Sequence, residues 1–228
     1  MENQSELPRH LGIIMDGNRR WAKDRGLPSL EGHRRGAQTL RNIAIAAKSK
    51  GIKILTFFCF STENWQRPQS EVNYLMDLLH EMFGSHFPEL QKEQIKIRVI
   101  GQKDRLPERV AKDIEMTETE TKGNSGMTLN MALSYGGRAE IVDAVKKIIK
   151  TGIDPEKITE ETIKENLWTT DVDLIIRTGG EQRLSGFLLW QSAYSEFLFV
   201  NKYWPEFSEA DLDSALDNYA RRQRRFGK

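Results

Sequence analysis

Residues 11–21 read LGIIMDGNRRW. The short apolar run 11–15 lacks strict alternation, which fits a strand buried on both faces, and it runs straight into a polar, arginine-rich turn. Five more runs share this character: 54–60 (ILTFFCF), 95–100 (IKIRVI), 127–133 (MTLNMAL), 172–176 (VDLII) and 197–200 (FLFV). Between them lie segments of helical period at 32–50, 70–92, 106–121, 138–150, 159–168 and 208–225. In the second of these, Val72, Leu75, Met76, Leu79, Met82 and Phe83 follow the i, i+3, i+4 spacing behind the N-cap candidate Ser70. Strands alternating with helices require crossover connections. The expected fold is therefore α/β, one domain spanning 1–228 with a central, mainly parallel six-stranded sheet flanked by helices on both faces. The first eight residues and the turn 123–126 are the expected flexible parts.

Composition narrows the function. The 228 residues carry 34 Lys plus Arg against 33 Asp plus Glu, a net charge of +1, which argues against nucleic-acid binding through overall basicity. Cys59 is the single cysteine, so neither an intrachain disulfide nor a Cys-based metal site can form, and a reducing compartment fits. The polar start MENQSELPRH does not read as a secretory signal, and no apolar run approaches the ~20 residues of a membrane span. A cytoplasmic protein is expected, peripheral to a membrane at most.

In open α/β sheets ligands bind beyond the carboxyl ends of the strands, and four such stretches carry chemistry. After the first strand, Asp16, Gly17, Asn18, Arg19 and Arg20 could hold a phosphate and a divalent cation; equally, Asp16 or Asn18 could cap the next helix. His33 follows at another helix start, beside Arg34 and Arg35. After the second strand, Ser61, Thr62, Glu63, Asn64, Trp65, Gln66 and Arg67 form a polar loop suited to the rim between an oily cavity and a phosphate site; an ordinary loop with Trp65 packed on the core is the alternative. Around the Gly179–Gly180 turn, Arg177 and Arg183 with Ser185 offer forked donors to one anionic group. Glu196 is either a strand-start residue or a metal ligand. The basic run 221–225 is either a solvated helix face, a contact for anionic lipid or part of a phosphate site on a neighbouring subunit.

The stretches HLGIIMDGNRRWA (10–22), FSTENWQRP (60–68), NMALSYGGRAEI (130–141), DLIIRTGGEQRLSGFLLWQSAYSE (173–196) and the closing RRFG resemble, in order and over nearly the whole chain, those of the cis-prenyltransferases, and most closely the bacterial undecaprenyl diphosphate synthases. The resemblance implies a transferase in isoprenoid biosynthesis: a homodimer that extends farnesyl diphosphate with isopentenyl diphosphate units, using Mg2+, to a long Z-polyprenyl diphosphate, undecaprenyl diphosphate for the cell-wall lipid carrier. It assigns Asp16, Gly17, Asn18, Arg19 and Arg20 to the allylic diphosphate, with Trp21 and His33 in the same pocket and Asp16 also on the metal. Ser61, Thr62, Glu63, Asn64, Trp65 and Arg67 fall to the closing loop, Asn64 assisting proton removal. Arg177, Arg183, Leu184 and Ser185 fall to isopentenyl diphosphate, and Glu196 to the metal there. The tail residues Arg225 and Gly227 are implied to reach the partner subunit's site, and tail and product to touch the membrane surface.

Two positions depart from the family pattern. Ser29 stands where a phosphate-contacting Arg is usual, so the allylic site needs Arg19, Arg34 or Arg35 in its place, and Gly186 replaces a common Asn. The hydrocarbon channel is assigned to Leu75, Met76, Leu79, Met82 and Phe83 with Ile43, Ala44 and Ala47, with plain core packing as the alternative for each. Competing readings fare worse. Helical trans-type prenyltransferases need DDxxD clusters, which are absent, and a haloacid-dehalogenase hydrolase would need a second Asp where Asn18 stands. A non-catalytic partner subunit of a cis-prenyltransferase is the alternative kept open.

Overall fold

A computed structural model describes residues 7–85 and 87–222, without the side chains of 85, 87 and 88. All six expected strands form: β1 His10–Ile14, β2 Ile54–Ser61, β3 Ile95–Ile100, β4 Met127–Tyr135, β5 Leu174–Arg177 and β6 Glu196–Phe199. They make one sheet in the order β3-β4-β2-β1-β5-β6, and every pairing is parallel. The expectation of a mainly parallel sheet thus sharpens to a fully parallel one.

Eight α-helices accompany the sheet among the described residues: α1 Asn18–Lys23, α2 Ser29–Ser49, α3 Gln69–Ser85, α4 Phe87–Lys92, α5 Glu108–Glu120, α6 Gly137–Lys150, α7 Glu160–Asn166 and α8 Glu209–Ala220. Within the expected helix 70–92 the described residues form α3 and α4 on either side of residue 86, which lies outside the described part. The expected 208–225 helix runs to Ala220, with Ser208 as its N-cap in a reciprocal box with Asp211; residues 223–228 lie outside the described part.

The larger core lies on the sheet face that buries Leu11, Ile13, Leu55, Phe57, Leu129, Met131, Leu174 and Ile176 against α2, α3, α5 and α8. The other face buries Ile14, Ala132, Ile175, Phe187 and Leu188. The alternation breaks twice near the carboxyl ends of β2 and β4. Phe58 pairs with Ala132 and Phe60 with Leu133, leaving Cys59 as an extra residue in β2; Ser61 then pairs with Tyr135, leaving Ser134 as an extra residue in β4. Each bulge reverses the phase of the residues beyond it, so Phe60 joins the larger core and Tyr135 the smaller one.

Candidate active site

The chain leaves β1 toward β2 on one side and β5 toward β6 on the other. That reversal opens a crevice at the carboxyl ends of β1 and β5, where Ile14 pairs with Arg177. Asp16 and Arg177 meet there: an Arg177 Nη2 donates to Asp16 Oδ2 at 2.9 Å, and Nη1 donates to Ser185 Oγ at 2.9 Å and to the Arg183 carbonyl. Gly17, with φ of 100°, precedes α1 and donates its N–H to Asp16 Oδ1, so neither Asp16 nor Asn18 caps the helix through its side chain. Burial alone would raise the Asp16 pKa, but the hydrogen bond and charge of Arg177, joined by Arg20 at 3.2 Å, outweigh it and hold the carboxyl below its ordinary value.

A cleft of about 850 Å³ extends from this pair. Its wall includes Asp16, Gly17, Asn18, Arg19 and Arg20 from the first strand end, His33 from α2, Ser61, Asn64 and Arg67 from the loop after β2, and Arg177, Arg183 and Ser185 after β5. Four stretches distant in sequence therefore converge. Arg177 Nε, Asn18 Oδ1 and His33 Nε2 are buried with no hydrogen-bond partner. Buried polar atoms without partners are uncommon, and three beside one cleft suit a polar ligand.

Carboxylates already occupy much of the positive charge. Glu181 bridges Arg20 at 3.5 Å and Arg183 at 2.6 Å, while Glu71 meets Arg67 at 3.1 Å, Arg19 at 3.7 Å and His33 Nε2 at 3.8 Å. Burial first, then Arg67 and Arg19, lower the His33 pKa to about 4 against the opposing pull of Glu71. His33 is a neutral imidazole at neutral pH. Glu71, Glu181 and Lys23, a further cation on the wall, were not singled out from the sequence. The i, i+4 spacing of Arg67 and Glu71 was the available signal for one of them.

Several expected site residues lie elsewhere. Among the described residues, Trp21, Thr62, Glu63, Trp65 and Leu184 are off the cleft wall. Trp21 lies under the Arg25 guanidinium, 4.7 Å from its ring centroid, and Leu184 packs against the smaller core. Thr62 donates to the exposed Glu63 carboxylate, and Trp65 packs edge-on against Phe60, as the packing alternative had it. Glu196 begins β6 opposite Leu174, three positions below Arg177, and pairs with Arg222, away from Asp16. Arg225 and Gly227 lie outside the described residues. Ser29 and Arg19 both line the cleft; Arg35 instead bonds Gln38 beside a separate groove, and Arg34 is fully exposed.

An apolar pocket of about 70 Å³ adjoins the cleft and shares Met15, Asn18, His33, Cys59 and Leu75 with it. Leu75, Leu79 and Met82 line it as expected, joined by Leu40, Leu78, Phe60 and Met131. Met76, Phe83, Ile43, Ala44 and Ala47 belong to the same larger core but do not line the pocket. No group of three or more potential ligands gathers among the described residues. A cation that keeps its waters and binds one or two carboxylates plus substrate phosphate oxygens, as Mg2+ does, fits a single Asp16 in an arginine-lined cleft.

The family model for undecaprenyl diphosphate synthases matches residues 14–227. An isoprenyl transferase of Thermotoga maritima is 51% identical over 226 residues, 97% of either chain. The fold matches that of lavandulyl diphosphate synthase from Lavandula x intermedia, solved with dimethylallyl diphosphate, with a TM-score of 0.94, 41% identity and coverage of 97% of this chain and 99% of that one. A Campylobacter jejuni protein described as a probable undecaprenyl diphosphate synthase matches with a TM-score of 0.84 at 33% identity, over 98% of this chain and 99% of its own.

Proposed function

The chain belongs to the undecaprenyl diphosphate synthase family and is a cis-prenyltransferase, and on that premise we propose that it condenses isopentenyl diphosphate onto an allylic diphosphate, farnesyl diphosphate, to build undecaprenyl diphosphate. The observation that carries this reading is a polar, arginine-lined cleft opening onto an apolar pocket through shared walls. A prenyl diphosphate needs both, the cleft for its charged head and the pocket for its hydrocarbon tail.

In this reading Arg19, Arg20 and Lys23, all on α1, receive the allylic diphosphate, Arg19 and Lys23 standing in for the Arg that Ser29 replaces. Arg183 and Ser185 receive isopentenyl diphosphate, and Arg177 lies between the two sites with Asp16. As the allylic C1–O bond breaks, charge grows on the departing diphosphate, and these fixed guanidinium groups stabilise it more than they do the ground state. The isopentenyl alkene closes the new C–C bond at C1 and then loses a proton from C2 to the released diphosphate, with Asn64 assisting by hydrogen bonding from the closing loop. Asp16 would hold Mg2+ at this site, and the bound cation would supply further neutralisation of the leaving group. The hydrocarbon lies in the pocket between α2 and α3, away from water.

The active form in this reading is a homodimer. The edge of β6 supports it, with Phe199 exposed and Phe197 and Phe199 stacked on one face. Glu196, at the far end of β6 from Asp16, and the tail carrying Arg225 and Gly227 then serve a site shared with the second copy. Among the described residues no helix is long and apolar enough to cross a membrane; contact with a membrane surface, in a cytoplasmic setting, belongs to the product and the tail.

The test is turnover with farnesyl diphosphate, labelled isopentenyl diphosphate and Mg2+, with products sized by mass spectrometry. Absence of product at saturating substrates and metal refutes the reading. Asp16→Ala is expected to lower kcat by about 10²-fold or more while circular dichroism stays unchanged; near-normal turnover removes Asp16 from the chemistry.

A further inference from the structure

Ser134 is the extra residue of the β4 bulge. It is fully buried and sits at φ of 46°, a left-handed conformation that a residue with a Cβ holds only where its surroundings dictate it. Bulges re-aim side chains, and here Ser134 Oγ accepts the Trp65 indole Nε1–H at 2.9 Å across 69 residues. The Trp65 ring is fixed from two other sides: edge-on to Phe60 with centroids 4.8 Å apart, and under the Arg105 guanidinium at 5.4 Å. Arg105 lies in the turn after β3, and Gln102 of the same turn donates its N–H to the Ser134 carbonyl at 3.2 Å. The contacts form a closed ring from Ser134 through the turn to Trp65 and back.

Trp65 belongs to the 3-10 helix Thr62–Gln66, which is capped reciprocally by Ser61 and Asn64. From this loop only Ser61, Asn64 and Arg67 reach the cleft wall. We propose that Ser134 is a positioning residue for the active site: its bulged, left-handed backbone presents Oγ to Trp65, and that tether sets where Ser61, Asn64 and Arg67 stand relative to the substrates. The proposal rests on the prenyl-transfer reading for its kinetic consequence but not for the tether itself. A second seat agrees with it. Gly136, just past the bulge, leaves room for Thr62, whose Oγ1 would lie 2.7 Å from any Cβ there.

Ser134→Ala removes the acceptor and Trp65→Phe removes the donor while keeping a ring on Phe60. Each is expected to speed amide hydrogen exchange at 61–67 by about ten-fold, to lower kcat/KM for isopentenyl diphosphate by a similar factor, and to leave the thermal midpoint within a few degrees. The double variant should be no worse than the worse single one, because both changes break one interaction. Ser134→Asn, which tolerates the left-handed region and offers an amide oxygen, should restore most of the loss. Additive losses, unchanged exchange in both single variants, or an Asn variant as impaired as Ala would overturn the proposal. If Ser134→Ala fails to fold, Trp65→Phe and Ser134→Asn carry the same comparison. A wild type without prenyl transfer refutes the function, whereas the exchange measurement still decides the tether.

Discussion

At the scale of single residues, Arg177 is where the site is assembled. Its side chain is 5% exposed, and its fork reaches Asp16, Ser185 and the Arg183 carbonyl at once. A lysine would keep the charge but lose the planar fork, so Arg177→Lys is expected to lower kcat by about 10²-fold in steady-state assays, with the fold retained by circular dichroism. Wild-type kinetics in that variant would mean that charge alone suffices. Glu181 and Glu71 show why a count of arginines overstates the free positive charge: both carboxylates pair with cleft cations. A bound diphosphate must compete with those partners, and each competition lowers net affinity while keeping the guanidinium groups oriented.

At the scale of elements, the entry into α1 is set by Gly17. Its φ of 100° disfavours any side chain, and a Cβ there would lie 2.6 Å from Tyr203 Cδ1. Gly17→Ala is therefore expected to destabilise the fold by about 1–3 kcal/mol, read as a lower urea midpoint at unchanged slope, and to displace Asp16 with it. The apolar pocket belongs to α2 and α3 together. Helical spacing points to Leu75, Leu79 and Met82, which line that pocket, because periodicity reveals which face of α3 is apolar. It could not tell pocket from core, since Met76 and Phe83 share that face yet are buried away from the pocket while Leu78 lines it. That division depends on how α3 lies on α2. Filling the pocket with Leu79→Trp is expected to shorten the products, a shift read directly by mass spectrometry, whereas an unchanged product ladder would place the hydrocarbon elsewhere.

At the scale of the whole molecule, the buried His10 and the partly buried His33 couple stability to pH. His10 donates from Nδ1 to the Asp171 carbonyl at 2.9 Å and accepts at Nε2 from the Thr56 hydroxyl at 2.7 Å, and burial lowers its pKa to about 4 despite Asp171 and Asp173. His33 is lowered similarly. Both are neutral when folded and titrate near 6.5 when unfolded, so the unfolded chain binds more protons between those values. Their stabilisation is full above about pH 6.5 and is lost as pH falls toward 4, by a few kcal/mol in all. Urea midpoints should fall across that window, and His10→Gln should flatten the slope; a midpoint constant from neutral pH to about 4.5 would refute the coupling. The sequence by itself determined the alternation of strands and helices, the single domain, and the Asp16, Arg177, Arg183 and Ser185 stretches, because periodicity and strand-end chemistry are local properties. Tertiary structure alone decided that Asp16 bonds Arg177, that Glu71 and Glu181 neutralise cleft arginines, that Glu196 stands at the other end of β6, and that Trp65 is an anchor off the cleft wall. Each depends on strand order, on register or on two bulges that reverse which way a side chain points, and one residue of register is enough to move a side chain from one face of the sheet to the other.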